Sequence, residues 1–128
     1  MSGSARFVIQ KHSRKGGDPH WDLMLETGDC LDTYRVDTPP QHWPQKPATA
    51  THIFDHPLKF LTYQGSVNNG EGLVEIADAG KYEVMNAVPD IKQIRFEGNI
   101  VRGQFVLVHI EGEKWELNTA EKTAQTEQ

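Results

Sequence analysis

The chain has 128 residues, a formal charge of −5, 37% hydrophobic and 24% charged residues, and one cysteine. That size suits one domain with a genuine core, and a single cysteine excludes both an intrachain disulfide framework and a cysteine-cluster zinc site. The acidic balance argues against a long nucleic-acid footprint, which rests on a basic face, but not against an enzyme that grips one strand end.

RFVIQKH (6–12), HWDLMLE (20–26) and CLDTYRV (30–36) alternate apolar and polar residues with period two and read as strands. Thr27-Gly28-Asp29 joins the last two as a hairpin loop. TPPQHWPQKPATA (38–50) carries Pro39, Pro40, Pro44 and Pro47 and reads as a surface loop. GLVEIA (72–77), KYEVM (81–85), KQIRFEG (92–98), RGQFVLVHI (102–110) and KWELN (114–118) follow as further strands, with hairpin turns at Gly98-Asn99 and Glu111-Gly112-Glu113. Asn68-Asn69-Gly70-Glu71-Gly72 precedes a strand rather than a helix, so it reads as a turn and not a nucleotide loop. No segment has a long 3.6-residue apolar period. The expected fold is mainly β, a small antiparallel β-barrel with short helical or loop insertions. One domain over 1–118 and a disordered tail over 119–128, TAEKTAQTEQ without its neighbours' apolar content, complete the expectation. No apolar run approaches the roughly 18–20 residues of a membrane span, and MSGSARFV lacks a signal-peptide apolar region, so a cytoplasmic location is expected.

The chemistry gathers in the first two strands. Period-two alternation sends Trp21, Leu23 and Leu25 to the core and His20, Asp22, Met24 and Glu26 to the opposite face. The same parity groups Val8, Gln10 and His12. If these strands pair, His12, His20 and Asp22 converge, and two imidazoles with one carboxylate leave coordination positions open on a divalent metal. The alternative is a wet sheet face whose histidines are ordinary polar residues, because H-x-D in a strand is a permissive pattern. His56, in IFDHPLKF, is the other candidate: Pro57 restricts it to extended backbone, and an imidazole serves as general acid or anion donor. Asp55 beside it is expected to face the other way, whereas His52 shares its strand parity. His42 and His109 stand outside any constellation, Cys30 reads as a core or hairpin residue, and Trp43 and Trp115 as packing groups.

FVIQKH, H-W-D-L-M-L-E, D-H-P-L-K-F, GLVEIADAGKYEV and a final G-x-x-x-x-G-x-F-x-L-V segment with a late tryptophan occur here in that order over residues 6–118. This succession resembles the 3′-phosphoesterase domain of bacterial DNA ligase D. The resemblance implies a compact β-barrel that trims 3′-phosphates and 3′-terminal ribonucleosides from DNA ends during break repair. It implies manganese as the preferred ion (zinc as the alternative), with His12, His20 and Asp22 as ligands, His20 and Asp22 thereby sharing in catalysis, and His56 as a further catalytic histidine. Partners implied are DNA or RNA-tipped DNA 3′ ends and a repair ligase or polymerase.

Departures from the family pattern fall around the substrate phosphate. Met24 stands where the family has a phosphate-binding arginine, Phe54 where it has a glutamate, Phe60 where it has a tyrosine, and Ala48 near a basic position. Gly16-Gly17 lengthens the spacing between the two histidines by two residues. Arg14 and Lys15 are the first candidates to replace the missing cation, followed by Arg35 and Lys59. Three functions therefore stand side by side: a phosphoesterase of nucleic-acid 3′ ends, a hydrolase of another phosphorylated substrate, and a non-catalytic metal-binding or partner-binding module.

Overall fold

The structure, a computed structural model, describes residues 5–119. Its strands are β1 (Ala5–Arg14), β2 (His20–Thr27), β3 (Cys30–Val36), β4 (Ala48–Pro57), β5 (Gly65–Val67), β6 (Gly72–Val88), β7 (Ile91–Glu97), β8 (Arg102–Glu111) and β9 (Lys114–Thr119). They pair in the order β1-β2-β3-β4-β9-β8-β7-β6-β5, and β1 also pairs with β6, so one antiparallel sheet curls into a closed ring. Short 3₁₀ turns at Pro40–His42, Leu58–Leu61 and Asn68–Gly70 are the helical insertions. The mainly-β fold expected from strand spacing is the one observed. The tail expected over 119–128 lies outside the described residues apart from Thr119, which closes β9.

Closure places two apolar clusters on opposite faces of the sheet. The larger holds Phe7, Ile9, Leu23, Leu25, Tyr34 and Val36 together with residues of β4 and β6–β9. The smaller, on the other face, holds Val8, Met24, Leu31 and Leu61. The alternation in HWDLMLE thus divides as its parity dictates: Leu23 and Leu25 inward, Met24 to the face that carries the polar residues. The three hairpin turns also lie where expected, and Gly28 (φ 65°) and Gly112 (φ 53°) occupy the left-handed conformation that such loops require.

Three expectations fail, each for a physical reason. The proline-rich 38–50 segment is not merely a surface loop. Trp43 is fully buried in the larger cluster with its indole N–H donated to the Thr38 carbonyl at 2.9 Å, and Ala48 and Ala50 already belong to β4. The break expected between residues 77 and 81 is absent, because β6 runs unbroken from Gly72 to Val88. Asp78 and Gly80 are present for another reason. The Asp78 carboxylate accepts the backbone N–H groups of Asn99, Ile100 and Val101 at 2.8–3.0 Å, tying down the β7–β8 turn. Gly80 lets the backbone at Glu97 approach where a Cβ would collide. Lastly, β4 carries a bulge that breaks the shared parity expected of His52 and His56: Leu31 pairs with His56 and Thr33 with Ile53, so Phe54 and Asp55 stand opposite the single residue Asp32.

One consequence of the packing is measurable. Burial pushes the Tyr82 phenol up to about 12 from 10.0; its hydroxyl donates to the Glu26 carbonyl at 2.6 Å. A raised pKa means the folded state holds its proton where the unfolded state has released it. The associated stability is fully present below about pH 10 and is lost as pH rises towards 12, on the order of 2–3 kcal/mol. Ultraviolet titration should show a phenol ionising late, and Tyr82→Phe should flatten the alkaline loss of stability in urea titrations. A loss that persists unchanged in Tyr82→Phe would assign it to other groups.

Candidate functional site

The pairing of β1 with β2 sets His12 directly opposite His20 and Gln10 opposite Asp22. On the other side of β2, Asp22 is opposite Arg35 and Met24 opposite Thr33. These residues share the face away from the large core, so the three strands present one continuous polar row. Two histidines and a carboxylate two to ten residues apart in sequence thereby become a compact cluster.

His12, His20 and Asp22 each offer a ligand atom, and all three atoms lie within 4.8 Å of one another. His12 Nδ1 is 3.2 Å from His20 Nε2, which is 3.4 Å from Asp22 Oδ1. Those separations are close to the ~3.4 Å between ligand atoms that each stand about 2.1 Å from a single tetrahedral ion. The cluster fits a divalent cation on further grounds. His20 and Asp22 are buried, and Asp22 Oδ1 is buried without a hydrogen-bond partner among the described residues. Burial first, and then the neighbouring His20, holds the His12 imidazole below its usual pKa of 6.5, which favours the neutral form that ligates a metal. Gly72 on β6 backs this ring; a Cβ there would stand 2.8 Å from His12 Nε2.

His12 and Asp22 form part of the wall of a cavity of about 330 Å³, and His56 lines the same cavity. Sequence parity placed His52 and His56 on one face. The β4 bulge separates them: His52 pairs with Tyr34 on the core side, its ring centroid 4.9 Å away, and binds Asp32 at 2.7 Å, whereas His56 turns to the cavity. His56 is held there by Thr33. The Thr33 hydroxyl donates its only proton to the Leu31 carbonyl at 3.0 Å, so it accepts from His56 Nδ1, also at 3.0 Å. That contact fixes the tautomer and leaves Nε2 for a ligand. Pro57, with φ −65° and ψ 150°, keeps the following backbone extended before the 3₁₀ turn.

Two supporting residues were not identified in the sequence as functional. Thr33 could have been, since β3 parity puts it with Leu31 and Arg35 on the polar face once the hairpin register is known. Gln10 is fully buried and donates to the carbonyls of Phe60 and Tyr63 at 3.0 and 2.9 Å, clamping the segment after His56 over the cavity. Its role depends on long-range contacts that no local pattern signals. Phe54, 73% exposed, stacks on the His56 ring at the lip of the cavity, with centroids 4.8 Å apart.

The cationic candidates separate. Arg35 lines the cavity that holds His56 and also an adjoining one with Arg14, Asp18, Pro19 and His20. Arg14 thus borders His20 from the second cavity. Lys15 lies in a shallow depression with Ser13, Ser66 and Glu71. Lys59 is exposed and sits over the Phe60 ring at 5.5 Å. Glu26, on the same face as Asp22, is engaged by Arg6 at 2.9 Å and lies outside the cavity wall. His109 is tied to Asp90 and the Gly112 carbonyl, which makes it a fastening of the β8–β9 turn. Cys30 opens β3 in contact with Thr27 and Asp55.

Residues 10–109 match the family described as DNA Ligase D 3′-phosphoesterase domain. The chain is 30% identical over 119 residues to the multifunctional non-homologous end joining DNA repair protein LigD of Mycobacterium tuberculosis (strain ATCC 25618 / H37Rv), a match covering 85% of this chain and 15% of that protein. It is 31% identical over 127 residues to the multifunctional non-homologous end joining protein LigD of Mycolicibacterium smegmatis (strain ATCC 700084 / mc(2)155), covering 86% of this chain and 16% of that protein. The chain therefore spans less than a fifth of the length of these relatives. No helix among the described residues is long and apolar enough to cross a membrane. Because the match runs through every strand that carries the His12, His20, Asp22 and His56 constellation, the chain belongs to the DNA ligase D 3′-phosphoesterase domain family.

Proposed function

We propose that this chain is a metal-dependent 3′-phosphoesterase that trims 3′-phosphate or 3′-terminal ribonucleotide ends of DNA in break repair, working in the cytoplasm beside a repair ligase or polymerase. The observation that carries the reading is the convergence of His12, His20 and Asp22 within 4.8 Å beside a cavity whose wall also includes His56. In this reading His12, His20 and Asp22 hold a divalent ion, manganese by family resemblance; the two-nitrogen, one-oxygen donor set also suits zinc. The bound ion supplies Lewis-acid stabilisation of charge on the phosphoryl group.

The rest of the chemistry belongs to the chain. Asp22 and His20, with His12, would hold the ion, and His56, on the wall of the same cavity as His12 and Asp22, would be the chain's own group at the phosphate. In the hydrolysis a water molecule bonds to phosphorus as the bond to the 3′ oxygen breaks. His56, as imidazolium with Nδ1–H held by Thr33, delivers a proton from Nε2 to that leaving oxygen, and the attacking water's proton passes to the released phosphate or to bulk water. The apolar walls, Met24, Ile53 and Phe60 among them, lower the local dielectric around the ester and strengthen each charge interaction inside.

A phosphorylated small molecule is the second reading, favoured by the net charge of −5, which offers little to a long polyanion. A metal series run on three substrates decides between them: a 3′-phosphate primer–template, a 3′-ribonucleotide primer–template, and a free nucleoside 3′-monophosphate. Manganese-dependent release from the primer–templates supports end processing. Turnover of the free monophosphate alone transfers the activity to the second reading, and turnover of none favours the non-catalytic module.

A further inference from the structure

A phosphate monoester carries up to two negative charges, and a single divalent ion facing one side leaves its other oxygens unmatched. The cavity wall holds one Arg or Lys side chain to meet them, Arg35. Its surroundings are apolar at Met24, Ile53 and Phe60, where a charge interaction is strong and a misplaced charge is costly. Arg35 is delivered by the ladder itself: in the β2–β3 register it stands directly across from Asp22, so the guanidinium and the candidate metal carboxylate occupy one rung of the sheet. The side chain is half-buried, and its Nε is buried with no hydrogen-bond partner. No side-chain hydrogen bond or ion pair to Arg35 occurs among the described residues, although Asp18 and Asp37 line the adjoining cavity with it. A desolvated, unpaired N–H is costly to keep, and an arginine fork matches two oxygens of a tetrahedral oxyanion.

We propose that Arg35 is the phosphate-binding residue of this site, donating to the phosphoryl oxygens that face away from His12, His20 and Asp22. This deepens the phosphoesterase reading and rests on the same cavity. Of the three cations only Arg35 lines the cavity that holds His56; Arg14 borders His20 from the adjoining cavity, and Lys15 lies in another depression. Lysine would keep the charge at position 35 but lose the fork.

The test titrates the full chain with inorganic phosphate, metal-free and manganese-loaded, by calorimetry, for wild type and Arg35→Met. The variant should bind phosphate about 10–100-fold more weakly, the loss expected for a charge-assisted contact, and bind manganese as wild type does. Arg35→Lys should fall between the two. Met24→Arg in the Arg35→Met background should recover part of the loss, since Met24 lines the same cavity diagonally across from position 35. If Arg35→Met does not fold, Arg35→Gln carries the same comparison. Phosphate affinity equal in wild type and either variant overturns the proposal, as does a wild-type chain that binds no phosphate. The outcome is separable from the function itself. Arg35-dependent phosphate binding without turnover of any DNA end retains this inference and overturns the nucleic-acid reading. Turnover of DNA ends with Arg35-independent phosphate binding does the reverse.

Discussion

His56→Ala is expected to lower the turnover of a 3′-phosphate end by about 10²–10⁴-fold, the range over which a positioned general acid contributes, while leaving manganese affinity within about twofold. The split follows from placement. His56 lines the cavity of His12 and Asp22 but is not one of the three residues whose ligand atoms cluster. Its Nδ1 is committed to Thr33, which leaves Nε2 as the nitrogen free to act. A merely structural histidine would, when truncated, disturb stability and metal binding together, because the β3–β4 pairing runs through Leu31 and His56. Calorimetry with manganese, alongside kcat on a 3′-phosphorylated primer–template, separates the two cases. Full activity in His56→Ala would remove the residue from the mechanism even with the metal cluster intact.

Asp22→Asn should be more damaging, weakening manganese binding by about 100-fold or more and turnover at least as much, since even residues that only support a ligand cost 10–100-fold when lost. The substitution keeps the shape of the side chain but removes the charge. Asp22 is 4% exposed and flanked by His20 and by Arg35 across the ladder, and it is the one carboxylate of the candidate cluster. Without a metal, the same buried carboxylate has His20 at 3.4 Å as its ion-pair partner. Asp22→Asn removes one partner of that buried contact, so the metal-free fold of the variant should be no more stable than wild type. Unchanged manganese affinity in Asp22→Asn would place the ion elsewhere.

How much of this was legible beforehand follows from the range of the forces involved. In β2 the period-two pattern assigned His20, Asp22 and Met24 to one face with no knowledge of the fold, because alternation is a local property of extended backbone. The convergence of His12 with them needed only that β1 and β2 pair. His56 was a different matter. Its chain neighbour His52 shares its parity, and only the bulge at Phe54 and Asp55 turns one to the core and the other to the cavity. Asp78 and Gly80 mimic a turn while serving the distant 97–101 segment. Gln10 and Arg35 acquire their roles from cross-strand register and, for Gln10, from a loop some fifty residues away, which no local periodicity encodes.

A divalent ion at His12, His20 and Asp22 is the proposed requirement for this chain to cleave a 3′ phosphoester. Release of inorganic phosphate from a 3′-phosphorylated primer–template, followed as manganese is titrated into the metal-free chain, tests it most directly. No release is expected without metal, and the rate is expected to saturate when one ion is bound per chain. Release that proceeds unchanged in a chelator, or no release from a chain shown to have bound its manganese, would contradict it.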